Sequence, residues 1–178
     1  MIAGIENGID FSKKYYVDSD GVIADFVSWA RGIRPDIIDN DGNTKEGCVD
    51  TLHKMMIDNY RECYLVFDVL PGGWEFLENV KKYENWFILT ATLSIEKIRK
   101  EIRDESLANK IYDTFCENKY KWYENLGVAR NKVIITGHRH DKQRFANKGD
   151  VLYDDFVDNI TDWKNAGGIA YQIGNRIR

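Results

Sequence analysis

The apolar positions of this chain fall into two patterns. Short, largely apolar runs at Tyr15–Val17, Trp86–Thr90, Lys132–Thr136, Val151–Tyr153 and Ile169–Ile173 have the length and composition of strands buried on both faces of a parallel sheet. Between them, apolar residues recur every three or four positions, the spacing of one helix face. Phe26, Val27, Trp29, Ala30 and Ile33 predict a helix over 24–33 that Pro35 ends, and Leu52, Met55, Met56 and Tyr60 predict another over 49–60. Trp74, Leu77 and Val80 predict a third after the turn Pro71-Gly72-Gly73. A charged helix over 95–105 takes Ser94 as its cap, another over 113–126 stops at Gly127, and a last one carries Ile160, Trp163 and Ala166 up to Gly167.

Strands alternating with helices predict an α/β fold, a doubly wound parallel sheet. Residues 26–66 break the alternation with two helices and no strand, so they read as a small helical insertion in a core made of 1–25 and 67–178. Inside the insertion, Asp36–Gly47 is rich in Asn, Asp and Gly, which suits turns and a hairpin tip. A calcium loop starting at Asp39 would need glycine at its sixth position, where this chain has Thr44. Residues 1–14, interrupted by Gly4 and Gly8, read as a lead-in or a short edge strand.

Chemistry-bearing residues collect where the strands end. Asp18, Ser19, Asp20 and Gly21 follow the first run directly. Two acids one residue apart on an extended segment face opposite ways, but Gly21 lets the chain turn, so both can point into the crevice above the sheet where ligands of open α/β folds bind. The second run ends in Thr90, the loop after the third holds Lys142 and Lys148, and the fourth ends in the adjacent acids Asp154 and Asp155. Neighbouring carboxylates at the end of a buried strand repel and desolvate each other, and a cation relieves both costs. Each feature alone has a plainer reading: the acid pair as a turn or helix cap, the threonine as a strand end, Gly72-Gly73 as an entry turn and not a phosphate cradle. His53 stands alone, and His138 and His140 lack a third ligand. All four strand ends in sequence order are harder to attribute to chance.

Composition narrows the classes. At 178 residues the chain suits one domain with room for an insertion. Three widely spaced cysteines, Cys48, Cys63 and Cys116, form no CxxC and argue for a reducing compartment, so a cytoplasmic location is expected. The amino terminus has acidic residues where a signal peptide needs an apolar core, and no apolar run approaches the roughly 20 residues that span a bilayer. A formal net charge of −4 gives no footprint for duplex nucleic acid and leaves small molecules as the expected partners.

The segment VDSDGVIADF, with Asp18, Asp20, Gly21 and Asp25, resembles the first motif of the haloacid dehalogenase (HAD) superfamily of phosphatases. Its Ala24, Asp25 and Phe26 are similar to the 5'(3')-deoxyribonucleotidase branch. Trp86–Thr90 resembles the second motif, His140-Asp141-Lys142 the lysine motif of the nucleotidases, and Asp154-Asp155 the fourth motif. Lys119, Tyr120 and Trp122 in ENKYKWYENLG resemble a nucleotidase segment bearing a substrate-side lysine, although the residue pattern alone puts Lys119 on a solvated helix face. Where the nucleotidases carry serine after the second-motif threonine this chain has Ala91, with Thr92 as a substitute contact.

The resemblance, which runs from Tyr15 to Asn175, implies a Rossmann-like sheet with the first-motif strand at its centre and 26–66 as a cap. It implies Mg²⁺-dependent hydrolysis of phosphomonoesters through a phospho-aspartate, with Asp18 as nucleophile and Asp20 as general acid and base. Thr90, the backbone at Ala91 and Lys142, chosen over Lys148, would hold the phosphate. Mg²⁺ would sit on Asp18, the Asp20 carbonyl and one of Asp154 and Asp155. Phe26 would stack a base and Lys119 would contact substrate, making a nucleoside monophosphate the expected partner, with a homodimer left open. The competing expectations are a HAD phosphatase for another small ester or a polynucleotide end, and a catalytically silent binding protein with the same fold.

Overall fold

The structure, a computed structural model, describes residues 12–173. Most of the lead-in expected at 1–14, and Asn175 at the end of the resemblance, lie outside the described residues. Five strands, β1 (Tyr15–Val17), β2 (Trp86–Ala91), β3 (Val133–Thr136), β4 (Val151–Asp154) and β5 (Ile169–Gln172), form one sheet in the order β3-β2-β1-β4-β5. Every pairing is parallel. The sheet grows outward on both sides from β1, a doubly wound parallel sheet as the pattern predicts, with the first-motif strand at its centre as the resemblance implies.

Strand side chains alternate between faces, and the alternation divides the core. Tyr15, Val17, Trp86, Ile88, Val133, Val151 and Tyr153 belong to one apolar cluster, and Tyr16, Leu89 and Leu152 to another. The first cluster takes in apolar residues of α3 (Gly73–Val80), α4 (Ile95–Glu101) and α5 (Glu105–Asn125), and extends to α1 (Phe26–Ile33) and α2 (Val49–Asp58), with α2 meeting α4. The second face is covered by α6 (Val157–Asn165), which buries Ile160 and Trp163 there, and by a 3-10 segment, Arg139–Phe145. Among the described residues no helix is long and apolar enough to cross a membrane.

The chain between Asp25 and Asp68 leaves and returns side by side. Asp25 N–H donates to Asp68 O and Leu70 N–H to Ile23 O, both at 2.8 Å, and Ala24 bridges Val69. The Asp25 carboxylate caps α1 by accepting from Ser28 N–H. The turn-rich stretch inside the insertion is a hairpin tip, with Ile38 bridged to Thr44 and Asp39 Oδ1 accepting from Asn43 N–H. At the re-entry, a Cβ on Gly73 would lie 3.0 Å from Ile23 O. Gly73 therefore serves a close backbone approach, while Gly72 takes a left-handed turn at φ +78° with open space around it.

Three elements differ from expectation. The charged helix stops at Glu101, and α5 starts eight residues earlier than its expected start at 113, spanning 21 residues. The cause is Asp104, whose side chain accepts from Leu107 N–H and starts a new helix after the extended Ile102. The loop expected after β3 contains the 3-10 segment, and this is what brings Lys142 inward.

The insertion also meets the core where α2 faces α4. Lys97 Nζ lies 3.3 Å from His53 Nε2. Burial, and then Lys97, lower the His53 pKa from 6.5 to about 4. The unfolded chain therefore takes up this proton at a higher pH than the folded one, so His53 contributes stability above pH 6.5 that is lost as pH falls through about 4. Chemical denaturation across that range should give a shallower acid loss for His53→Gln than for wild type. Parallel curves would contradict the burial of a neutral His53.

Candidate active site

The site begins with strand register. Val17 pairs with Tyr153 across β1 and β4, and Asp18 N–H donates to Tyr153 O at 2.8 Å, so the residues that follow, Asp18 and Asp154, end the two strands side by side. Both are buried. Lys142, 3% exposed, lies between them, its Nζ 2.7 Å from Asp18 Oδ1 and 2.7 Å from Asp154 Oδ2. Burial acts to lower the lysine pKa, but Asp154 and Asp18 outweigh it and hold the group above its ordinary value, so Lys142 is charged.

Asp154 is saturated. Its Oδ1 accepts from Phe156 N–H at 2.9 Å and Asn159 Nδ2 at 3.0 Å, and its Oδ2 from Lys142 and from Asn159 at 3.0 Å. Burial, reinforced by Asp18, still pushes its pKa up to about 6. Asp18 Oδ1 takes Ser19 N–H at 2.7 Å as well as Lys142, and Oδ2 receives neither. Asp155 packs against Gly21, where φ is +88° and a Cβ would overlap the Asp155 carboxylate. Glycine is thus required twice at that turn, for its left-handed backbone and for its missing side chain.

Asp18, Asp154 and Asp155 each place a carboxylate oxygen within 4.8 Å of the others. With Asp154 committed to Asn159, Lys142 and Phe156 N–H, the acids that suit a hard divalent cation are Asp18 and Asp155.

The second half of the site is not visible as such in the pattern. Lys119 is 2% exposed, which overturns its reading as a solvated helix lysine. Its Nζ donates to Asp20 Oδ2 at 2.8 Å and to Thr90 Oγ1 at 2.9 Å. It lies 4.1 Å from the centre of the Tyr64 ring. Its neighbours on α5 explain why: Ala108, Ile111, Phe115 and Trp122 are all buried, and Lys119 occupies the three-and-four-spaced place between the last two. A lysine on an apolar stripe is the sequence signal, masked by Lys110 and Lys121 on the same helix. Asp20 Oδ1 is buried with no hydrogen-bond partner among the described residues. Four carboxylates, Asp18, Asp20, Asp154 and Asp155, thus face two ammonium groups, Lys119 and Lys142.

The remaining expected site residues divide. Thr90, wholly buried, holds its hydroxyl at Lys119 and its carbonyl 3.3 Å from Thr136 Oγ1. Ala91 ends β2 in register with Thr136. Phe26 is not among the acids and lysines; its ring packs on Trp29 and Phe67, with centroids 5.9 and 5.8 Å away. Phe67 in turn meets Tyr64 at 5.5 Å, so Phe26 reaches Lys119 through two other rings. Lys148 is exposed. Sequence reasoning missed Asn159, and placed Tyr64 only among the aromatics of the insertion, not over Lys119. Asn159 lies five residues beyond Asp154 across a turn, a spacing with no regular period to mark it.

No family model matches the chain, and no curated protein matches it. Among solved structures, a HAD hydrolase of family IA, variant 3, from Entamoeba histolytica is similar, with a TM-score of 0.50 at 14% identity over 93% of this chain and 86% of that one. That likeness establishes the fold, an α/β fold of the HAD type.

The acid cluster predicts a response to cation. Mg²⁺ at about 100 times its Kd should add about 2.7 kcal/mol of stability, or about 5 to 10 °C in melting temperature for a chain of this size. Asp155→Asn should lose most of that shift in a thermal melt at pH 7.5. An equal shift in the variant would remove Asp155 from the cation site.

Proposed function

We propose that this chain is a Mg²⁺-dependent phosphomonoesterase that works through an aspartyl-phosphate on Asp18, with nucleoside monophosphates as substrates and deoxyribose forms preferred. The observation that carries the reading is the convergence of Asp18 and Asp20 after β1, the Thr90 hydroxyl of β2 and two buried ammonium groups at the carboxyl end of the central strands. A phosphoryl dianion complements that set, and in phosphoryl transfer most catalytic benefit comes from positioning and from charge on the equatorial oxygens. The insertion 26–66 acts as a cap in this reading.

Asp18, held by Ser19 N–H and Lys142, attacks phosphorus; the new Asp18–phosphorus bond forms as the ester oxygen leaves. Asp20 gives its proton to that leaving oxygen and then takes one from the water that attacks the phospho-aspartate, releasing phosphate and restoring Asp18. Thr90, Lys119 and Lys142 hold phosphoryl oxygens. Asp18, the Asp20 carbonyl and Asp155 would hold Mg²⁺, which when bound supplies positive charge for the phosphoryl group. The aromatic group of Phe26, Trp29 and Phe67 supplies the platform on which a base stacks.

Phosphate release from an aryl phosphate and from nucleoside monophosphates is the test. Asp18→Asn should abolish release while leaving the circular dichroism spectrum intact, and Asp20→Asn should cost on the order of 10² to 10⁴ in rate. Phe26→Ala should lower kcat/KM for nucleotides about tenfold, since base stacking is worth roughly 1 to 3 kcal/mol, and leave the aryl phosphate little changed. Equal losses on both substrates would assign Phe26 to packing and withdraw the nucleotide. Wild-type turnover by Asp18→Asn would overturn the nucleophile.

A further inference from the structure

The return leg of the insertion is strapped to α5. Asn118, 4% exposed, offers its side-chain amide to the carbonyls of Tyr60, Arg61 and Cys63 at 3.0 to 3.2 Å. One turn further along α5, Trp122 Nε1 donates to Phe67 O at 2.8 Å. Between these two anchors sits Tyr64. It is the one non-glycine residue with a positive φ among the described residues, at +69°. A bulky residue in that region is strained, and such strain persists only where its surroundings fix it. Here the strain has a visible product. The Tyr64 ring is pinned by an edge contact to Phe115, centroids 5.4 Å apart, and its face is turned to Lys119 Nζ at 4.1 Å.

Lys119 needs such a support. A lysine has a long, freely rotating stem, and this one must span from α5 to touch Asp20 and Thr90 at once. Its ammonium is shielded from water, where an aromatic face contributes more than it does at a surface. We infer that Tyr64 is a positioning residue: its ring holds the Lys119 ammonium against Asp20 Oδ2 and Thr90 Oγ1, and so ties the insertion to the point where the phosphoryl group is handled. The inference rests on the phosphatase reading above. Tyr64 itself touches no reacting atom; it acts through Lys119.

A double-mutant cycle on the full chain, with Mg²⁺ present, tests this. Lys119→Met should lower kcat for aryl phosphate by on the order of 100-fold, the usual cost of one charge-stabilising donor. Tyr64→Leu should lower kcat about tenfold, and Tyr64→Phe, which keeps the ring, should stay within about threefold of wild type. In the Lys119→Met background Tyr64→Leu should cost nothing further in kcat, because the group it positions is gone. Thermal melts of all four proteins separate folding from function, since a packing loss at Tyr64 appears in both backgrounds. Multiplicative losses in kcat, or a Tyr64→Phe variant as impaired as Tyr64→Leu, would overturn the positioning role while leaving the phosphatase reading intact. A wild type that neither releases phosphate from the ester nor binds inorganic phosphate by calorimetry would remove that reading, and the inference with it.

Discussion

A single buried ammonium sets the terms for the rest of the site. Parallel pairing of β1 with β4 brings Asp18 and Asp154 together at the carboxyl end of the sheet, and two buried carboxylates at that spacing are untenable without a counter-charge. Lys142 meets both at 2.7 Å. Removing one partner from such a group leaves an uncompensated buried charge, at a cost of about 3 to 5 kcal/mol. The 3-10 segment that carries Lys142 packs against α6, and α6 also supplies Asn159 to Asp154. The second face of the sheet therefore fixes Lys142 and Asn159 against the Asp154 carboxylate, while Asp18 retains an oxygen that neither Lys142 nor Ser19 engages.

The other face builds the other half. The insertion lies there with α5, and its return leg is gripped by Asn118 and Trp122. The same helix sends Lys119 to Asp20 and Thr90. The two lysines thus come from opposite sides of the sheet and meet at the end of β1, which is why the central position of that strand matters: there Lys142 reaches Asp18 from one face and Lys119 reaches Asp20 from the other. Asp155, pressed against Gly21, completes the buried acid cluster with Asp18 and Asp154.

Much of this is legible in the chain. The strands are readable because parallel strands are apolar on both faces, and the acids at their ends because a carboxylate that directly follows a buried run must find a partner or a ligand. The parallel sheet follows from alternation, and the central place of β1 from the resemblance. Lys119 is the exception, because the pattern starts α5 at 113 and so hides the apolar stripe from Ala108 onward that Lys119 continues; the signal that reveals it is the Asp104 cap. The place of Tyr64 over Lys119 cannot be read at all, since a left-handed backbone at a tyrosine is imposed by tertiary contacts and leaves no mark in local composition. Phe26 enters by resemblance, and its ring packs within an aromatic group of the insertion and its return leg.

The central claim is that Asp18 is the group to which phosphorus is transferred, and a covalent adduct tests it most directly. The protein would be mixed with Mg²⁺ and excess aryl phosphate, quenched in acid within a turnover, digested, and read by mass spectrometry. The account predicts one added phosphoryl group on the peptide containing Asp18, present in wild type, enriched in Asp20→Asn because the resolving base is missing, and absent in Asp18→Asn. A phosphoryl group on any other residue, or turnover with an unmodified Asp18 peptide at every quench time, would contradict it.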